Sequence, residues 1–213
     1  MHLEYLHEGI AYYENGLSDY LCQDVWEFYY RNIDSLALPG VTMSGSNGGT
    51  EDSPWKHTLD QDMKRLSQCD ESLIAERSNI DDRIYEELKL PVSDYLNIYD
   101  QLAKAPNIVD TGYLWQMYRK NDGYYKEHVD GDNWNHDTIH RVAGIVCYIN
   151  TVDEGGETYF RYQDHYIKPK KGGVAIFPSS WMYPHEAMMP ISSDKLILSS
   201  FLVCQPVETH RHF

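Results

Sequence analysis

Long apolar runs are missing from this 213-residue sequence. No stretch approaches the roughly 18 consecutive apolar residues that a membrane-spanning helix needs. The opening residues, MHLEYLHEGIAYY, lack the basic flank and apolar core of a secretory leader, so no signal peptide is expected. Positive charge is also scarce: 18 Lys and Arg stand against 33 Asp and Glu, a formal net charge of -15. That argues against nonspecific binding to nucleic acid or anionic membrane, which requires a basic surface. Cysteine is sparse and scattered (Cys22, Cys69, Cys147, Cys204), with no C-x-x-C pair. Reduced thiols and a cytoplasmic location are the matching expectation.

What is present reads as a folded domain. Hydrophobic residues make up 42% and aromatics 13% of the chain, with 18 Tyr, too apolar a composition for disorder. The length predicts one domain, residues 1–213, with a substantial core. Its character changes near residue 110.

Before that point the signals are helical. Ser18 can cap a segment that carries Leu21, Val25, Phe28 and Tyr29 on one stripe. Ile80, Ile84 and Leu88 repeat at helical spacing until Pro91, and Val92 to Leu102 reads as another short helix with Tyr95, Leu96 and Tyr99 on its apolar face. Residues 41–55, VTMSGSNGGTEDSPW, are Gly/Ser-rich and read as a long flexible loop or functional flap. Residues 1–110 are thus expected to be mainly helical support.

Beyond 110 come short strands divided by turns, at about 113–119, 124–130, 142–150, 157–162, 165–168, 174–177, 184–188 and 195–203. The pairs Gly155-Gly156 and Gly172-Gly173 mark turns, and residues 206–213 form a tail. This density of strands predicts two facing sheets or a barrel over 111–205, an α+β fold with the helices packed outside.

One motif in the strand-rich half carries chemistry. In YYKEHVDGDNW, residues 124–134, His128 and Asp130 lie two apart, on one face of an extended chain. Alone, such a pair is usually a solvated accident. His185, in YPHEAMMP, adds a second imidazole from a distant strand. Two His and one carboxylate leave three coordination positions open, which suits Fe(II) that must also bind a cosubstrate and oxygen. Zinc hydrolases use the same donors, so donor type alone leaves the metal open. Lys195 tips the choice toward iron. It opens the run KLILSSFLV, whose face also carries Ile197, Ser199 and Phe201. Such an ammonium either snorkels to water at a strand end or, if buried, pairs with an anion such as the distal carboxylate of a metal-bound dicarboxylate.

The order His128-Val-Asp130, His185, Lys195 resembles the Fe(II)- and 2-oxoglutarate-dependent dioxygenases of the prolyl 4-hydroxylase type. YINTVDEGGETYF (148–160), with Gly155-Gly-Glu-Thr158, and PKKGGVAIF (169–177) resemble two further signatures of that family. The likeness spans about residues 114–203. It implies a double-stranded β-helix, or jelly-roll, core with Fe(II) on His128, Asp130 and His185. It also implies a 2-oxoglutarate C5 carboxylate on Lys195 and Tyr148, Tyr118 in the same pocket, and Arg141 near the substrate cleft. Ordinary core packing is the alternative for each Tyr. Trp55 is a candidate apolar anchor for a peptide, the alternative being a core Trp.

Implied too is hydroxylation of a peptidyl proline with O2, releasing succinate and CO2, with ascorbate as reductant. Leu196 departs from the Trp that the family often places after the Lys, which weakens the collagen-type assignment. Other readings are a 2-oxoglutarate-dependent hydroxylase of another side chain or small molecule, a noncatalytic metal-binding sensor barrel, and a zinc hydrolase. His136, His140, His165, His210 and His212 carry no expected role.

Overall fold

The computed structural model describes residues 1–40, 55–105, 107–131 and 140–204. All of the flap expected at 41–55 except Trp55, and the tail at 206–213, lie outside them. The chain opens with a hairpin, β1 (His2–His7) and β2 (Ile10–Glu14), before helix α1 (Asp19–Leu36) and strand β3 (Ala37–Pro39). Then follow β4 (Lys56–His57), β5 (Leu59–Gln61), α2 (Met63–Leu66), α3 (Glu71–Ile98) and α4 (Asp100–Ala103). Strands β6 (Ile108–Asp110), β7 (Leu114–Tyr118), β8 (Tyr124–His128) and β9 (Arg141–Tyr148) come next. The chain continues through β10 (Thr158–Phe160), β11 (His165–Ile167), β12 (Val174–Pro178), β13 (His185–Ala187) and β14 (Lys195–Cys204).

Two sheets face each other. The major sheet runs β1-β2-β12-β9-β14-β7-β5-β3, with β6 also paired to β14; the minor sheet runs β11-β10-β13-β8-β4. This is the jelly-roll layout, with α1 and α3 packed on the outer face of the major sheet. The eight strands expected beyond residue 110 are all present, with shifted ends.

Alternation explains how one sheet serves two cores. Ala143, Ile145 and Cys147 of β9, Val174 and Ile176 of β12, and Leu196 and Leu198 of β14 pack on the helices. Their neighbours Val146, Tyr148, Ala175, Phe177 and Ile197 point instead between the sheets, beside Tyr118 and Phe160. Burial on both faces makes these strands read as continuous apolar runs.

The capping and stripe of α1 are as expected: the Ser18 hydroxyl accepts from Leu21 N–H at 3.2 Å, and Leu21, Val25, Phe28 and Tyr29 are buried. Two expectations fail. Pro91 does not end a helix; α3 runs through it to Ile98. An internal proline costs about 3 kcal/mol in a free helix. Here Leu88, Pro91 and Tyr95 are all buried and the Tyr95 hydroxyl donates to the Gly9 carbonyl at 3.0 Å, so tertiary packing outweighs that cost. The second failure is at the N-terminus, where residues 2–14 are strands that extend the major sheet through β2 and β12. Their turn is Glu8-Gly9, both at positive φ, the backbone that a two-residue hairpin demands.

Phe28 (1% exposed) meets Trp115 edge-to-face at 5.7 Å, where α1 seats on the sheet. Phe28→Ala should therefore lower unfolding free energy by about 3–5 kcal/mol, read from urea denaturation. A loss below about 1 kcal/mol would show that this contact does not seat the helix.

Candidate active site

The site begins with a cross-strand pair. His185 on β13 lies directly opposite His128 on β8, their ring centroids 4.4 Å apart. Asp130 follows two residues beyond His128, just past the strand end, and completes the cluster. His128 Nε2 lies 3.6 Å from Asp130 Oδ1, and His185 Nε2 lies 3.7 Å from Asp130 Oδ2. One donor atom from each residue falls within 4.8 Å of the others.

Each imidazole is held from behind by backbone. His128 Nδ1 lies 2.8 Å from the Lys126 carbonyl, and His185 Nδ1 lies 3.1 Å from the Tyr183 carbonyl. Carbonyls only accept, so each Nδ1 carries the proton and each Nε2 presents a lone pair toward Asp130. That is how second contacts fix metal-binding histidines. Burial, then the nearby His185, pushes the His128 pKa well down, while burial pushes the Asp130 carboxyl up. A neutral ring ready to ligate and a carboxylate short of positive charge are a donor set that a cation would complete.

Glycine makes room for the carboxylate. A Cβ on Gly144 of β9 would lie 2.6 Å from Asp130 Oδ2 and 2.8 Å from the Phe177 ring. A strand glycine of this kind marks a close approach. The Asp130 carbonyl accepts from Arg141 Nη1 at 3.0 Å, and Gly131 N–H donates to the Ser179 carbonyl at 2.8 Å. His185 packs on Phe160 and Phe177.

Lys195 lies on the major sheet, in the same space between the sheets. It is 1% exposed, and its ammonium donates to the Gly156 carbonyl at 2.9 Å and sits 4.1 Å from the Tyr118 ring centre. Gly156 holds a positive φ of 76°, a backbone form that glycine adopts readily. Among the described residues no carboxylate lies within ion-pair distance of Lys195, and burial pulls its pKa down to about 7. An anion is what this pocket lacks. Tyr148 is fully buried between the same two sheets, its hydroxyl 2.8 Å from Thr158 Oγ1.

The structure thus brings His128, Asp130 and His185 into one cluster and stacks Tyr118 on Lys195. Arg141 adjoins Asp130 through its carbonyl and lies over the Phe201 ring at 3.7 Å. Trp55 is 54% exposed, with Lys126 over its ring, and so belongs to no core. Three participants escaped the sequence reading. Thr158 stood in the Gly-Gly-Glu-Thr motif without a role of its own. Gly144 was signalled only as a glycine inside an apolar strand. Tyr125, which stacks on His128 at 3.6 Å and 14°, had no local signal. A bulge between β8 and β13 brings those two residues together.

Comparison with known proteins agrees with this geometry. The family model described as the 2OG-Fe(II) oxygenase superfamily matches residues 113–203. This segment is similar to 2OG-Fe(II) oxygenase domains. The family implies Fe(II), 2-oxoglutarate and O2 as its reagents. No curated protein matches the chain. Solved structures do. A viral collagen prolyl hydroxylase from Paramecium bursaria Chlorella virus-1, in complex with 2OG, aligns with TM-score 0.62 at 17% identity, covering 93% of this chain and 97% of that one. A Pseudomonas putida prolyl-4-hydroxylase aligns with TM-score 0.61 at 19% identity, covering 94% of each. A Trichoplax adhaerens prolyl hydroxylase, in complex with a hypoxia inducible factor oxygen degradation domain peptide fragment, gives TM-score 0.60 at 17% identity, covering 92% and 84%. At these identities the likeness establishes the fold. No helix among the described residues is long and apolar enough to cross a membrane.

Gly144→Ala tests the notch directly. The added methyl should displace the Asp130 carboxylate and weaken Mn(II) binding by about ten- to a hundred-fold, the usual cost of disturbing a ligand's support. Titration of the folded variant with Mn(II) measures it, and unchanged affinity would refute the notch.

Proposed function

We propose that this protein is a 2-oxoglutarate-dependent hydroxylase of peptidyl proline, with iron on His128, Asp130 and His185. The observation that carries the proposal is Lys195, a buried ammonium without a carboxylate partner among the described residues, in the same intersheet space as a two-His, one-carboxylate cluster. A dicarboxylate that chelates the metal at one end and pairs with Lys195 at the other satisfies both. Bound iron and 2-oxoglutarate would supply the oxidising chemistry, coupling decarboxylation to succinate with transfer of one oxygen atom from O2.

The chain's own groups do the rest. Lys195 would hold the C5 carboxylate, with Tyr148 and Thr158 as neutral hydrogen-bonding neighbours. Tyr118 forms an apolar wall that keeps water from the ammonium. Phe160 and Phe177 dry the back of His185. The Nε2 lone pairs of His128 and His185 and the notched Asp130 carboxylate would hold the metal with three donors, fewer than iron's full set. Prolyl specificity is supported by the fold shared with prolyl hydroxylases, one of them complexed with a peptide fragment. We assign Trp55 and Arg141 to the substrate side, Trp55 as an exposed aromatic beside β8 and Arg141 as a cation next to Asp130. Ascorbate enters the proposal only as a reductant of the metal.

The test is 2-oxoglutarate turnover with Fe(II) over a panel of proline-containing peptides, read as succinate and a mass gain of one oxygen. Alanine at His128, Asp130 or His185 should abolish turnover in a folded protein. Succinate release without peptide hydroxylation across the panel would leave an oxygenase but remove the prolyl assignment.

Lys195→Met should weaken 2-oxoglutarate by about ten- to a hundred-fold and leave metal binding intact, since a charge-assisted bond contributes roughly 1.5–3 kcal/mol. Tyr148→Phe should shift affinity the same way by less. Direct 2-oxoglutarate titration of the Mn(II) form reads both, and normal binding by Lys195→Met would show that another cation serves the carboxylate.

The depressed pKa sets a pH dependence. At its value of about 7 in the free protein, Lys195 is mostly neutral at pH 8, whereas a bound carboxylate favours the ammonium. Binding at pH 8 should therefore take up close to one proton, and affinity should fall as pH rises from 7 to 9. Stability of the free fold runs the opposite way. An unfolded Lys titrates near 10.4, so between about pH 7 and 10 the unfolded chain binds more protons and the free fold gains stability as pH rises. Calorimetry in two buffers of different ionisation heat measures the uptake. None at pH 8 would mean that Lys195 is already charged.

A further inference from the structure

A second buried charge lies near the site, outside the machinery described so far. Lys56 and Asp60 are 3% and 8% exposed and pair at 2.6 Å between Nζ and Oδ2. Thr58 Oγ1 donates to Asp60 Oδ1 at 2.7 Å, and Gln116 Nε2 lies 3.3 Å from both carboxylate oxygens. Ser199 Oγ in turn donates to Gln116 Oε1 at 3.0 Å. A Cβ on Gly40 would strike Thr58, Asp60 and Lys56, so the backbone roofs the network closely. Burying an ion pair is often no more stable than an apolar pair of similar size. Stability alone therefore gives little reason to keep it here.

Its position supplies one. Residues 56–61 cross from the minor sheet to the major sheet: β4 pairs with ligand-bearing β8, while β5 pairs with β7. Strand β4 is only two residues long, so its ladder holds β8 weakly. The ion pair joins the two ends of this crossing, and Gln116 and Ser199 extend it to β7 and β14, the strands of Tyr118 and Lys195. On the other side, Lys56 is the cross-strand partner of Tyr125, its ammonium 5.2 Å from that ring's centre, and Tyr125 stacks on His128.

We propose that the Lys56–Asp60 pair is a positioning clasp that sets the separation between the metal-bearing strands and the Lys195 strand, and hence the span that 2-oxoglutarate bridges. This rests on the functional reading above. All three metal donors sit on β8, β13 or the residues just after β8, so they move together with the minor sheet. The cosubstrate must reach across to Lys195. Loosening the clasp separates the two properties: the metal binds as before, and the dicarboxylate binds less well.

The test uses Lys56→Met/Asp60→Asn, which removes both charges, keeps the volumes, and leaves acceptors and donors for Thr58 and Gln116. Mn(II) and then 2-oxoglutarate are titrated into the full-length protein. The clasp predicts wild-type Mn(II) affinity with 2-oxoglutarate weakened about ten-fold or more, as expected for loss of a supporting contact, and Lys56→Arg largely restoring it. Should the double variant not fold, Thr58→Val removes a single bond to Asp60 and should weaken 2-oxoglutarate in the same direction by less. Wild-type 2-oxoglutarate affinity in the double variant or, where that does not fold, in Thr58→Val overturns the clasp. So does parallel loss of Mn(II) and 2-oxoglutarate, which marks general softening. A wild-type protein whose Mn(II) form binds no 2-oxoglutarate overturns the oxygenase reading itself, and is thereby told apart from failure of the clasp.

Discussion

A sheet buried on both faces is the constraint on which the rest of this structure depends. The helices cover one side of β9, β12 and β14, and the minor sheet covers the other. With no solvent on either face, every polar group that points inward must find a partner there or remain costly. Tyr148 finds Thr158; Gln116 finds Ser199 and Asp60; Asp60 finds Lys56 and Thr58. Lys195 finds a carbonyl and an aromatic ring, which suit an ammonium but do not neutralise it. The same burial that gives the domain its core thus singles out Lys195 as an inner-face cation short of an anion among the described residues.

The two-His, one-carboxylate cluster follows from the opposite property of the minor sheet, whose strands are short. His128 ends β8, and Asp130 lies outside it, so the carboxylate is free of the pleat and can turn toward the two imidazoles. A long regular strand would have fixed the alternation of side chains strictly. The bulge opposite His185 adds a further departure, placing Tyr125 against His128 three residues on. Regularity in the major sheet and its breakdown in the minor one are complementary. The first supplies a rigid floor, and the second aims side chains from it.

Legibility in the sequence tracks this division. The two-residue spacing of His128 and Asp130 is local, so extended-chain geometry predicts their convergence, although Asp130 lies just past the strand. The strands beyond residue 110 announce themselves by apolar runs and glycine pairs. Pro91 misleads because its usual meaning is local, whereas the packing of Leu88 and Tyr95 that carries the helix through it is not. The hairpin at residues 2–14 was hidden by its turn: Glu-Gly serves where Asn-Gly or Asp-Gly would have been recognised. Lys56 and Asp60, four apart in a polar stretch, look like an exposed pair. Their burial is decided by Gly40, Gln116 and Ser199, residues 16 to 139 positions away.

Charge balance inside the intersheet space links these features. Lys56 and Asp60 neutralise each other, so together they impose little field on the cosubstrate end. Lys195 remains the net cation there, with Glu157 as a partial counterweight. The donor cluster contributes the single negative charge of Asp130 and two imidazoles that carry none. A divalent metal therefore leaves a net positive charge at one end, and Lys195 supplies another when protonated. A ligand with two carboxylates separated by a short carbon chain is the chemistry that neutralises both ends without importing surplus charge into a dry space. A monocarboxylate would leave one end unsatisfied, and a neutral ligand would leave both. On the proposed reading, selectivity for a dicarboxylate would be a consequence of burial, because in water neither end would discriminate strongly.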